Sequence, residues 1–129
     1  MKMFTEEWVK AFAEKLKNDQ EFQEKGKGFD SNLQFIILKD PKAGVNKDTG
    51  FGMWMPTIDN FWYGVKDENE VDIILQAKAS VVQDVFKGKK NVVMALTMGS
   101  IKLKKGPLTK LTGNLGAVNR FIEIARSIS

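Results

Sequence analysis

Apolar side chains recur along this chain with two different periods, and the switches between them mark out its elements. Trp8, Val9, Phe12, Ala13 and Leu16 fall three or four residues apart, the spacing of one helix face. Thr5 precedes them as a natural N-cap, Glu6 and Glu7 supply first-turn negative charge, and Phe4 is placed to staple onto Val9. Asn18-Asp19 predicts a break before a short helical piece from Phe22 to Gly26. From Phe29 to Leu38 the period drops to two, with Leu33, Phe35 and Ile37 alternating against Gln34 and Ile36 as in a strand. Asp40 to Gly50 holds turn residues almost throughout and predicts a loop. A second strand is expected from Phe51 to Ile58, a tight turn at Asp59-Asn60, and a further strand at Phe61-Trp62-Tyr63. Lys66 to Glu70 is a polar turn, and Val71 to Leu75, extending to Ala77, is the next β run. Neighbouring strands with short turns predict an antiparallel meander.

The second half turns helical. Ser80 is placed to cap a helix whose Val81, Val82, Val85 and Phe86 share a face, and Gly88 ends it. Asn91 opens another, in which Val92, Val93, Met94, Ala95, Leu96 and Met98 are apolar nearly all round. Such a helix is expected to be buried on both sides or to touch something besides its own sheet. Ile101 and Leu103 then alternate with Lys102 and Lys104 as a strand with its lysines facing water. After Gly106, Pro107 suits a first helical position, Thr112-Gly113-Asn114 interrupts, and Asn114 can cap a continuation to Ser127.

Composition narrows the chemistry more than the fold. With 129 residues, no repeat, no low-complexity segment and no linker, one domain spanning 1–129 is expected. There is no His and no Cys, which removes imidazole catalysis, thiolate nucleophiles, disulfides and the common zinc sites. Neither GxGxxG nor GxxxxGK[ST] occurs, so no cofactor and no metal are expected. An enzyme would have to rely on Tyr63 or on carboxylates such as Asp67, Glu68, Glu70 and Asp72, and that cluster reads as a solvated turn. The chain is therefore expected not to be an enzyme. Net charge is +4 from 20 basic and 16 acidic residues, and the basic ones lack the interleaved aromatics of a nucleic-acid site. A cysteine-free chain whose N-terminus enters an acidic helix start directly is expected in the cytoplasm.

The order of these parts resembles the sterol carrier protein 2 (SCP2) sterol-binding domain family. The two short helices match ASVVQDVFKGKKNVVMALTMG, the Lys-rich strand matches GSIKLKKG, and the terminal helix matches PLTKLTGNLGAVNRFIEIARSI. The likeness is best over Val71 to Ile128. It implies an α/β fold in the α+β sense, with about five mostly antiparallel strands covered on one face by helices. It also implies non-enzymatic carriage of an apolar molecule, a fatty acid, sterol or other lipid, between sheet and helices. The expected walls are Met53, Trp54, Met55, Phe61 and Trp62 from the strands, and Val82, Val85 and Phe86 from one helix. Met94 and Met98 would come from the next, and Leu108, Leu111, Leu115 and Phe121, in a stripe with Val118, from a terminal lid. The competing expectation is that each of these is simply core. A second reading makes the same groove a protein-interaction or dimerisation surface. Lys87, Lys89, Lys90, Lys102, Lys104, Lys105 and Lys110 fit a solvated face, or else transient contact with an anionic membrane surface.

Overall fold

The computed structural model of the protein describes residues 1–128. Helices α1 (Glu6–Lys17) and α2 (Gln20–Lys25) lead into strand β1 (Ser31–Leu38), then β2 (Thr49–Met55), β3 (Phe61–Tyr63) and β4 (Ile73–Lys78). Helices α3 (Ala79–Phe86) and α4 (Val92–Thr97), strand β5 (Lys102–Lys105), and helices α5 (Leu108–Thr112) and α6 (Leu115–Arg126) complete the chain. The sheet has the order β3-β2-β1-β4-β5. It is mixed but mostly antiparallel, with helices over one face, as expected.

The meander does not extend as far as the alternation suggested. β1, β2 and β3 pair antiparallel, but β4 lies parallel to β1, with Leu33 opposite Ile73 and Phe35 opposite Leu75. β5 joins antiparallel at the far edge, through an irregularity at Ile74 and Leu75. Residues 64–72 must therefore carry the chain from one edge past β2 and β1. They form a strap on the sheet face away from the helices, and Gln34 anchors it. Gln34 is fully buried in mid-strand, donates Nε2 to the Lys66 carbonyl at 3.2 Å, and accepts from the Lys66 N–H at 2.7 Å. Its Oε1 also accepts from the Trp62 indole at 2.9 Å. A polar side chain in the middle of a strand is thus satisfied by the crossover itself.

Strand alternation decides which side chains meet the helices. Phe35 and Phe51 stack at 5.0 Å on the helix-facing side. Trp8 and Phe12 from α1, Phe86 from α3 and Phe121 from α6 close over them at 4.8 to 6.2 Å between rings. Aromatic pairs at these separations add to the burial of large apolar area. β2 stops at Met55 rather than Ile58, because Pro56 has no N–H to continue the ladder and Ile58 takes a left-handed φ of 58°. Thr5 caps α1 and Asn91 caps α4, both through side-chain oxygens, as the sequence indicates. Phe4 packs edge-on against Trp8 at 5.6 Å.

Two caps depart from expectation. Lys78, not Ser80, is the N-cap of α3, and the carboxylate of Asp40 accepts the Ser80 N–H instead. Asn114 precedes α6 but spends its amide on the Lys110 carbonyl at 2.7 Å, tying α5 to α6. Pro107 sits one place earlier than expected, at the N-cap of α5.

Asp19 ties α2 to α6. It caps α2 by accepting from Phe22 N–H at 2.8 Å, and it takes Arg120 Nε and Nη2 at 2.9 and 2.7 Å. Hydrogen bonding to Arg120 holds the Asp19 carboxyl below its ordinary value, against an opposing effect of burial. Its stabilising contribution is therefore present above the unfolded value of 3.8 and is lost as pH falls through the lower folded value. Asp19→Asn keeps a competent cap but loses the ion pair. The variant is expected to melt a few degrees below the native protein at neutral pH, with the gap closing in acid. Thermal unfolding followed across pH measures this.

Candidate functional site

The helices do not fill the whole helix-facing side of the sheet. α1 and α6 lie over the aromatic cluster, while the area over β1, β4 and β5 is spanned by α3, the short α4 and α5, and one side of α6. α4 has six residues and α5 has five, so neither can present two full turns to the sheet. Beneath them lies a cavity of about 200 Å3. Its floor is Leu33, Phe35, Leu75 and Leu103, and its walls come from α3, α4, α5 and α6.

The chemistry of the walls is uniform. No charged side chain lines the cavity, and the polar side chains are Thr97 and Thr112. Each of those hydroxyls donates to a carbonyl one turn back in its own helix, Val93 at 2.8 Å and Leu108 at 3.3 Å. The cavity therefore offers an apolar guest contact and no directed polar group. Val93, Leu108 and Leu115 both line it and reach solvent, which locates its mouth between α4, α5 and the start of α6.

The expected site residues divide into two sets. Met55, Val82, Val85, Phe86, Leu108, Leu111, Leu115 and Phe121 lie together on the cavity wall. The other six do not. Met53-Trp54-Met55 cannot all point one way along a strand, and Trp54, paired with Asn32, takes the opposite sheet face. Trp62 is on that face too, its indole bonded to Gln34 and its ring 4.5 Å from the Lys66 ammonium. The space for Trp62 exists because position 52 is glycine, where any Cβ would collide with the indole. Met53 is buried in the core off the cavity wall, and Phe61 sits half-exposed on edge strand β3. Met94 and Met98 project outward from α4 at 59% and 78% exposure. α4 is thus covered on one side only, with Ala95 its one fully buried residue; of the two expectations for it, burial on both sides is not met.

The cavity also enlists residues outside the expected set. Leu33, Phe35 and Leu103 are legible as inward-facing strand positions, and Leu75 joins them through the parallel β1–β4 register. Phe29, Val92, Leu96, Ile101 and Ile122 complete much of the wall, beside Val118 of the expected lid stripe.

One polar contact restrains the roof. Lys110 on α5 donates its ammonium to the carbonyls of Phe29 at 2.7 Å and Gly28 at 3.3 Å, across the cavity edge from the segment preceding β1. A charged hydrogen bond is worth about 1.5–3 kcal/mol net. Lys110→Met is expected to raise amide hydrogen exchange in α5 about tenfold or more, with exchange in α1 unchanged. Site-resolved exchange measured by NMR checks this.

The acidic residues of the strap hold structure together. Asp72 accepts the Asn32 N–H at 2.8 Å and Asp67 accepts the Asn69 N–H. Among the described residues no group of His, Cys, Asp or Glu is arranged to hold a metal ion, and no helix is long and apolar enough to cross a membrane.

No family model matches the chain, and no curated protein does. Solved structures do. A crystal structure of sterol carrier protein 2 superposes with a TM-score of 0.86 at 25% identity, over 98% of this chain and 99% of that one. A conserved hypothetical protein from Thermus thermophilus superposes with a TM-score of 0.84 at 27% identity, over 100% and 91%. Sterol carrier protein 2 of Aedes aegypti, solved in complex with the C16 fatty acid palmitate, shares the fold with a TM-score of 0.60 at 12% identity, over 96% and 98%.

Proposed function

The chain is an SCP2-like domain, and on that premise we propose that it binds and carries one apolar molecule of the fatty-acid class in the cavity beneath α4 and α5. The observation that carries this reading is the composition of the walls: aliphatic and phenyl groups throughout, no charge, and both threonine hydroxyls engaged within their own helices. Such a site gives an acyl chain burial and gives a reaction nothing to work with, so carriage rather than catalysis is the activity proposed. The whole chain 1–129 acts as one binding unit, in the cytoplasm.

Energetics permit useful affinity. Burying about a dozen methylenes at ~0.8 kcal/mol each gains roughly 10 kcal/mol, and association and ordering take back several. With about 4 kcal/mol taken back, binding in the tens of micromolar follows without any polar contact. At about 200 Å3 the cavity lies below the volume usual for ligand sites, roughly 300–1,000 Å3. A long acyl chain therefore has to displace the roof, and the short, one-sided helices α4 and α5 are the elements that can yield. In the palmitate-bound Aedes aegypti protein, the same fold takes a ligand of this class.

Two measurements on the purified protein test the reading: mass spectrometry of extracted lipid, and titration with a fluorescent fatty acid. Co-purified lipid, or saturable binding near one equivalent, is expected. No extracted lipid together with no saturation would contradict it.

A further inference from the structure

Of the two edges of the sheet, β5 is guarded and β3 is not. β5 reads Lys-Leu-Lys-Lys, and lysines along a free edge discourage a further strand from pairing there. β3 and its flanks, Asn60 to Val65, carry no charge. The pairing with β2 decides which backbone groups remain. Trp54 N–H donates to the Asn60 carbonyl at 2.8 Å and Gly64 N–H to the Gly50 carbonyl at 2.7 Å, so Asn60, Trp62 and Gly64 turn their groups inward. By antiparallel alternation the N–H and C=O of Phe61 and Tyr63 point off the edge, and no turn, loop or side chain among the described residues bonds to them. Their side chains share one sheet face, opposite Met53 and Phe51, at 41% and 44% exposure.

We propose that a second copy of this chain pairs along this edge, antiparallel and two-fold about Trp62, joining two five-stranded sheets into one. In that register Phe61 of each copy lies opposite Tyr63 of the other. Each such pair exchanges both of its outward backbone hydrogen bonds and brings two exposed rings together. Charge favours a second copy over an unrelated extended peptide. Asp59 precedes the edge, whereas Lys66 follows it and Lys2 and Lys47 line the cleft beside Tyr63. Two-fold pairing sets the acidic end of each copy against the basic end of the other, and among the described residues no salt bridge occupies any of these four. A two-fold contact closes at two copies, and the lysines of β5 keep the outer edges from adding more. The cavity lies over β1, β4 and β5, away from this edge, so both mouths stay open and the proposal does not rest on the carrier reading.

The experiment is sedimentation velocity on the delipidated protein from ~10 μM to ~1 mM, the range in which so short an edge contact dissociates, with amide hydrogen exchange read by NMR at both ends. The apparent mass is expected to rise from one chain toward two and no further. The Phe61 and Tyr63 amides should exchange about tenfold or more slowly at the high concentration than at the low one. Tyr63→Lys, at an exposed position that spares the fold, should weaken association about tenfold or more, and Asp59→Lys or added salt should weaken it several-fold. A chain that stays single at ~1 mM overturns the proposal. So does a dimer that survives Tyr63→Lys or leaves both amides unprotected. A dimer abolished by Met98→Asp also overturns it, assigning the contact to the cavity rim.

Discussion

Phe121→Ala is expected to destabilise the protein by about 3–5 kcal/mol, more than any other single truncation in α6. Phe121 is 4% exposed and meets Phe12 of α1 at 4.8 Å, Phe35 of β1 at 5.8 Å, and Phe22 and Phe86 at 6.2 Å. It is the ring at which α1, α2, α3, β1 and α6 converge. Its other side borders the cavity, so the void left by truncation joins one already present and the surroundings have little reason to collapse inward. Phe121→Leu keeps most of the volume and should cost clearly less. Denaturant unfolding of both variants measures the effect. A loss near ~1 kcal/mol for the alanine, the range of a small core trim, would mean that α6 is not held by this cluster.

Leu103→Trp is expected to weaken fatty-acid binding by roughly 50-fold while leaving stability nearly unchanged. Leu103 is half-buried on edge strand β5 and shares with Leu75 the sheet face that floors the cavity. An indole there extends into empty space rather than into packed neighbours, which spares the fold the usual cost of overpacking. The space it occupies is no longer open to the acyl chain. Excluding about three methylenes at ~0.8 kcal/mol each gives a loss of that size. Titration with a fluorescent fatty acid, run beside a denaturation curve, separates the two effects. Unchanged affinity in a folded variant would place the ligand elsewhere.

Features set by neighbours in sequence are legible in the chain, and features set by distant crossings are not. The face of α1, the caps Thr5 and Asn91, the alternation of Leu33, Phe35 and Ile37, and the lysine strand after Gly99 are local, and all appear in the structure. The parallel pairing of β1 with β4 depends on where the strap crosses, and only Gln34, a polar residue in a buried strand position, hints at it. The position of the cavity is partly legible. The stripe Leu108, Leu111, Leu115, Val118 and Phe121 does roof it. The tryptophans fall elsewhere because strand period outranks residue type: Trp54 and Trp62 lie on the strand face opposite Met53 and Met55, whatever their affinity for lipid. Helix α4 differs for another reason. Its all-round apolar character arises because one side meets the cavity while Met94 and Met98 meet solvent, so periodicity could not say which side was covered.

The shape of the site sharpens what carriage requires. A volume of about 200 Å3 and walls without a directed polar group favour tolerance of guest chemistry over recognition of one head group. Selectivity would then rest on length and bulk, set by how far α4 and α5 can part.

The most direct measurement is an NMR experiment with carbon-13-labelled palmitate, reading intermolecular contacts from the acyl chain to protein methyl groups. Contacts are expected to Val82, Val85, Leu103, Leu111 and Val118, on the floor and walls of the cavity. Contacts confined to Trp54, Trp62 and the strap side of the sheet, or no contacts from a saturated sample, would contradict carriage in this cavity.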